Sequence, residues 1–329
     1  MEHVKNEAGE FQGLLLYKVP KAASTTLAGL VFHLHNKTGG CAIQAKHFKE
    51  GVEKIEYKSI DKKHSFVFAP IRDPASRDIS HVRYFRFGKI VKVNQKNNPN
   101  PTAAQYYQAL MRQGRNAPFL YKGWGGFQFR YLVHGDLGEI VSKDYSYVDY
   151  STVHHKLHSE IQRFGFFFVA ERMDESIVAF ANLLGLDIRD VVLPGKANVR
   201  DGGYYLNRDG KRSENICRKR HIFPKLPDET MDFLESPKYK RIEYADMLLH
   251  RIANYSLDLT IEHTIGAEKF AKDLAQYRHL TDRVQAYCGQ RLGGGCYSNG
   301  TAIEPVEKCY HEDMGCGYEC VNEYMATYG

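Results

Sequence analysis

The sequence predicts an α/β fold with a mostly parallel central sheet and a helical, disulfide-bearing C-terminal extension. Two apolar runs, at 14–19 and 65–71, each end in a proline-bearing turn that opens a helical pattern, the strand-turn-helix rhythm of parallel sheets. An amphipathic stretch over residues 257–287 then leads into a segment holding Cys288, Cys296, Cys309, Cys316 and Cys320, which accounts for the extension.

The first strand, 14-LLLYKV-19, reaches Pro20 and Lys21, and 24-STTLAGLVFHLHN-36 follows as a helix capped by Ser24 or Thr25, with Gly39 and Gly40 beyond its end. Alternation in 41-CAIQAKHF-48 predicts another strand. The second unit runs from 65-SFVFAPI-71 through 72-RDPASRD-78 into a helix carried on to Gly88, with Pro74 in its first turn. Polar, proline-bearing 91–102 reads as an exposed loop. The aromatic segment 117–132 contains the only tryptophan, Trp124. A third apolar run, 164-FGFFFVAE-171, leads into the helix 174-DESIVAFANLLG-185 with Asp174 as cap, and glycine-flanked 195–203 reads as a basic loop. This divides the chain into a polar segment 1–12, a main domain 13–256, a C-terminal helix 257–290 packed on it, and a cysteine-rich tail 291–329.

With 329 residues and 43% hydrophobic composition, the chain can bury a sizeable core and does not have the make-up of a disordered protein. Its net charge of +6 is spread without a long basic run, so an anionic ligand is weakly favoured and nucleic acid is not indicated. The clustered cysteines point to disulfides and an oxidising lumen. Zinc is the competing reading, although tidy C-x-x-C pairs are missing and His311 stands alone. Sequons at Asn36, Asn254 and Asn299 fit a glycosylated luminal protein. No apolar window reaches about 18 residues, so a membrane link is expected only through an N-terminal anchor absent from this chain.

The chemistry concentrates at the two strand-to-helix turns. Unpaired N–H groups at a helix N-terminus, reinforced by the helix dipole, favour an anion, and 18-KVPKAASTT-26 adds the cations Lys18 and Lys21 and the hydroxyls of Ser24, Thr25 and Thr26. The glycines of a nucleoside-triphosphate loop are missing there. In 72-RDPASRDIS-80, Arg72 and Ser80 offer a second cradle, and two cradles imply a ligand phosphorylated at two places.

Taken together, these motifs resemble the two-part signature of sulfotransferases that use 3′-phosphoadenosine 5′-phosphosulfate (PAPS). The segments 169-VAERMDESIVAFANLLGLDIRDVVLPGKANVR-200 and 244–288 are similar to the galactose-3-O-sulfotransferase (galactosylceramide sulfotransferase) family. The tail after Cys288 does not map onto it. The resemblance implies a three-layer P-loop-like fold and transfer of a sulfuryl group from PAPS to a sugar hydroxyl without a metal. It implies a carbohydrate acceptor, most directly galactose 3-OH of a glycolipid or glycan, and a Golgi lumen location. It also implies that Lys18, Lys21, Ala22, Ala23, Ser24, Thr25 and Thr26 hold the 5′-phosphosulfate, and Arg72 and Ser80 the 3′-phosphate. Lys196, Asn198 and Arg200 would close over the nucleotide. Where this family has T-H-K, the chain has 19-VPK-21, which looks more like the uronosyl 2-O-sulfotransferases of glycosaminoglycans. A catalytically silent nucleotide or sulfated-glycan binding module is the non-enzymatic alternative.

Sulfuryl transfer needs a cation at the leaving oxygen and a base for the acceptor proton. Lys21 matches the catalytic lysine of these enzymes. His47, at the end of the second strand, is the first choice of base, and Glu171 the second, against an internal ion pair of Glu171 with Arg172 or Arg200. Tyr121, Trp124 and Phe127 form an acceptor wall or else core packing. His33 and His35 read as packing or surface residues, and His154, His155 and His158 as a solvated surface.

Overall fold

A computed structural model describes residues 13–38, 42–46, 65–81, 126–133, 149–194, 204–208, 215–219, 226, 228–289, 301 and 317–329. Four strands build its main sheet: β1 (Gly13–Tyr17), β2 (Ala42–Lys46), β3 (Phe66–Ile71) and β4 (Phe166–Val169), in the order β2-β1-β3-β4 and all parallel. Every residue of β1 and β4 is buried, so the sheet is covered on both faces, as uninterrupted apolar strands require. The α/β class with a parallel sheet is therefore as the sequence predicts, and most of the remaining described residues are helical.

Helix α1 (Ser24–Thr38) follows β1, and α2 (Pro74–His81) follows β3. Next come α3 (Phe127–Val133), α4 (Tyr150–Ile161) and α5 (Met173–Leu184). A two-stranded antiparallel ribbon, β5 (Tyr204–Arg208) and β6 (Asn215–Lys219), precedes α6 (Asp228–Glu235), α7 (Pro237–Ile242) and α8 (Tyr244–Leu259). The chain ends in α9 (Ala267–Cys288) and α10 (Tyr318–Tyr328). No helix among the described residues is long and apolar enough to cross a membrane.

The core centres on aromatic rings. Phe68 and Phe168, on neighbouring strands, both meet Phe180 of α5 at 5.1 Å between centroids, and all three are fully buried. Each such ring contributes roughly 1.5–3 kcal/mol by leaving water. Tyr17, at the end of β1, donates its hydroxyl to the Tyr131 carbonyl at 2.8 Å and packs edge-on against that ring, which ties α3 to the site end of the sheet.

Several boundaries differ from expectation. The predicted cap of α1 moves one residue upstream, because the Ala23 carbonyl already accepts the Leu27 N–H at 3.2 Å and Ser24 begins the helix. Asp174 does not cap α5. Arg172 occupies that position without a side-chain capping bond, while Asp174 lies in the first turn, 3.7 Å from Arg278. The expected single helix over 257–287 is two, parted by a π-helical turn at Thr260–Ile265 and by Gly266, whose φ of 90° suits a residue lacking Cβ. The helix entered at Pro74 is described to His81.

At the C-terminus, Cys288 of α9 is bonded to Cys320 of α10, closing a loop of 32 residues. By chain entropy, a loop of that length contributes about 3–4 kcal/mol. The clamp sets Tyr318 flat on His33 of α1, with ring centroids 4.2 Å apart. Among the sequons, Asn36 is exposed on α1, and the half-buried Asn254 donates its amide to the His250 carbonyl at 2.9 Å.

His33 predicts an acid sensitivity. Burial, helped by Lys37 and opposed by Asp190, lowers its pKa from 6.5 to about 4. The folded state thus holds fewer protons than the unfolded one between those values, so this contribution is complete above pH 6.5 and is lost as pH falls toward 4. His33→Phe is expected to remove that loss, on the order of 2 kcal/mol, from urea-midpoint curves taken across the same window.

Candidate functional site

The strand order creates the site. From β1 the chain moves to β2 on one side, then β3 lies on β1's other side and β4 continues outward, so the direction reverses between β1 and β3. In an open parallel sheet, the crevice beyond the strand ends at that reversal is where ligands bind. The two turns singled out in the sequence occupy it: residues 18–23 leave β1, and Arg72 and Asp73 leave β3.

The first turn takes an unusual shape. Lys21 and Ala23 both have φ of 65°, the left-handed region that costs a residue with a Cβ roughly 1–2 kcal/mol. The glycines missing from the motif are thus replaced in conformation though not in identity. Alternation of handedness along such a turn aims successive N–H groups at a common point, an arrangement suited to an anion. Ala22 is wholly buried beneath it, Lys18 is 5% exposed, and Ser24 is buried. Lys21 and Ala23 are partly exposed, and Thr25 and Thr26 face solvent.

The second turn is gripped from several sides. Asp73 accepts the Ser76 N–H at 2.8 Å and so starts α2, with Pro74 in its first position. The Gln128 side chain clasps the main chain of Arg72, accepting its N–H at 2.8 Å and donating to its carbonyl at 2.7 Å. Gln128 is itself held by Asp246 of α8, whose carboxylate accepts the N–H groups of Gln128 and Phe129 at 2.9 and 2.8 Å. The Arg72 guanidinium donates from Nη1 to the Lys21 carbonyl at 3.1 Å. The two turns therefore touch. Ser80 lies half-buried on α2.

Glu171 also sits at this edge, just past β4. Among the described residues its ion-pair partner is not Arg172 but Arg72, with Oε1 3.7 Å from Nε, and His250 Nε2 lies 3.3 Å from its other oxygen. Arg172 instead bonds Glu175 and Asp258. Burial favours protonation of Glu171, yet the hydrogen bonds from His250 and the Asp73 N–H outweigh it and hold the carboxyl below its ordinary range.

Beneath α2 lies a cluster that sequence reasoning missed. Arg77 is 3% exposed, pairs with Asp78, stands 3.9 Å from Glu243, and rests over the Phe127 ring at 4.5 Å. Tyr239 donates to Asp78 at 2.8 Å, and Glu243 accepts the Gly126 N–H at 3.2 Å. Burial pushes the carboxyls of Asp78, Glu243 and Asp246 up, while Asp78, Glu243 and Asp246 together overcome the burial of Arg77 and keep it charged. This cluster bolts α2 to α7 and α8.

Phe127 is part of that packing, stacked with Tyr131 at 6.0 Å and close to His81 at 5.5 Å, so its ring serves the core. His33 is buried, and His154, His155 and His158 are exposed, with His154 bonded to the Tyr244 hydroxyl at 2.8 Å. His47, Tyr121, Trp124, Lys196, Asn198 and Arg200 lie outside the described residues.

Comparison with protein-family models, with curated proteins and with solved structures finds no match to this chain.

Proposed function

We propose that the chain is a sulfotransferase carrying the sulfuryl group of PAPS to a sugar hydroxyl, with galactose 3-OH of a glycolipid or glycan as the acceptor. The observation that carries this reading is the bond from the Arg72 guanidinium to the Lys21 carbonyl, which joins the two cradles at the sheet's reversal point. A nucleotide bearing phosphate at both its 3′ and 5′ positions suits two adjoining anion turns, one with a left-handed backbone and one with a guanidinium.

In the reaction, the acceptor oxygen attacks sulfur while the bond from sulfur to the bridging oxygen breaks, and adenosine 3′,5′-bisphosphate leaves with that electron pair. Lys21 stabilises the charge on the departing oxygen. The acceptor proton passes to a base, for which His47 is the candidate. The residues assigned to this step need no metal. The fold would be the P-loop-like sulfotransferase arrangement, working in the Golgi lumen. The Cys288–Cys320 bond is of the kind an oxidising compartment sustains.

The segment 19-VPK-21 favours a second acceptor, the 2-hydroxyl of a uronic acid in a glycosaminoglycan. Incubating the protein with labelled PAPS and either β-galactosides or uronate polymers tests both. Label on the galactoside supports the reading, label on the polymer replaces its acceptor, and no transfer to either together with no binding of adenosine 3′,5′-bisphosphate overturns it.

A further inference from the structure

Strand β4 delivers Glu171 to the turn that carries Arg72, and what the carboxylate meets there is backbone and cation. Both of its oxygens lie within reach of the Asp73 N–H, at 3.1 and 3.2 Å. That N–H belongs to the same peptide unit as the Arg72 carbonyl, which Gln128 holds from the other edge at 2.7 Å. One peptide plane is thus pinned on both edges, and the direction in which the Arg72 side chain departs is fixed with it. Behind Glu171 stands His250 of α8, and behind His250 stands Asn254, which bonds its carbonyl at 2.9 Å and lies 3.3 Å from its ring nitrogen. Asn254 also reaches Arg172 at 3.5 Å, so α8 supports the whole row from outside the sheet.

A general base needs an oxygen open to the acceptor hydroxyl. Glu171 remains exposed, but it already accepts from a peptide N–H and faces a guanidinium and an imidazole, and charge-assisted bonds of that kind favour the ionised form and weaken it as a proton acceptor.

We infer that Glu171 is the positioning residue of Arg72, that His250 is its support, and that the pair sets selectivity for a nucleotide carrying a 3′-phosphate. This rests on the donor proposed above. Because Glu171 acts on the arm that meets the 3′-phosphate, its removal changes affinity for adenosine 3′,5′-bisphosphate and spares adenosine 5′-phosphate, which lacks that group.

Calorimetric titration of the full chain with both nucleotides tests it. Glu171→Ala is expected to weaken the bisphosphate about tenfold and the monophosphate by less than about twofold. Glu171→Gln keeps an oxygen for the Asp73 N–H and is expected to return bisphosphate affinity to within about threefold of the parent. His250→Ala should cost about threefold alone and nothing further in the Glu171→Ala background, since its effect passes through that carboxylate. Equal weakening of both nucleotides by Glu171→Ala marks a merely structural role and overturns the inference. So does a Glu171→Gln protein that binds the bisphosphate normally but no longer turns over, the signature of a base. A parent protein that binds neither nucleotide overturns the donor assignment and this one with it. A parent that prefers the bisphosphate while Glu171→Ala keeps the preference overturns the positioning role alone.

Discussion

Lys21→Ala is expected to lower turnover by about 10³-fold while leaving the KM for PAPS within about threefold. The expectation is clean because of where Lys21 sits. Its φ of 65° is a left-handed conformation that alanine resists about as much as lysine does, so the substitution neither adds nor relieves backbone strain. Arg72 bonds the Lys21 carbonyl, which the substitution leaves in place, and the two turns stay joined. What is lost is the ammonium, and with it the stabilisation of the departing oxygen that the proposed reaction assigns to it. Steady-state rates with saturating acceptor, alongside an unchanged unfolding midpoint, measure this directly. Turnover within about threefold of the parent would remove Lys21 from the chemistry.

The largest loss of stability is expected from Arg77→Leu, about 3–5 kcal/mol at neutral pH, read as a lowered urea midpoint at unchanged slope. Among the described residues Arg77 is the cation that Asp78, Glu243 and Asp246 face in the interior, and removing it takes that counter-charge from buried carboxyls. Those carboxyls are already pushed up by burial. Without Arg77 they rise further, and the sign of the linkage follows. An acid whose folded pKa is raised contributes most at low pH and loses that contribution as pH rises above its unfolded value. The variant should therefore approach the parent's stability as pH falls below the ordinary carboxyl values of 3.8 to 4.5 and depart from it as pH rises above them. A pH-independent difference would mean that the guanidinium's packing on Phe127, 4.5 Å from the ring, outweighs its charge.

Strands β1, β3 and β4 were legible because they are short apolar runs, β2 because it alternates, and the two candidate turns because Lys21 and Arg72 follow such runs directly. The support beneath them was not. The buried face of α2 comprises Pro74, Arg77, Asp78 and His81, which is the i, i+3, i+4, i+7 spacing of an inward stripe written in polar letters. A search for apolar periodicity passes over it. Gln128, Glu243 and Asp246 were invisible for another reason: their partners lie far away in the chain, with 118 positions between Gln128 and Asp246, and only the packing of α3 on α8 brings them together. Glu171 was found but its company was not, because His250 comes from a helix whose sequence shows only an amphipathic pattern. The π-helical turn before Gly266 has no residue signature that separates it from an ordinary helical continuation.

The contorted loop between β1 and α1 has a consequence for how the protein fails. Residues that dislike their own dihedrals keep them only while neighbours insist, so this loop should relax as soon as the surrounding scaffold softens. Mild heating or low denaturant would then blunt the nucleotide capture proposed above well before circular dichroism registers any melting, and recognition would be the first property to disappear.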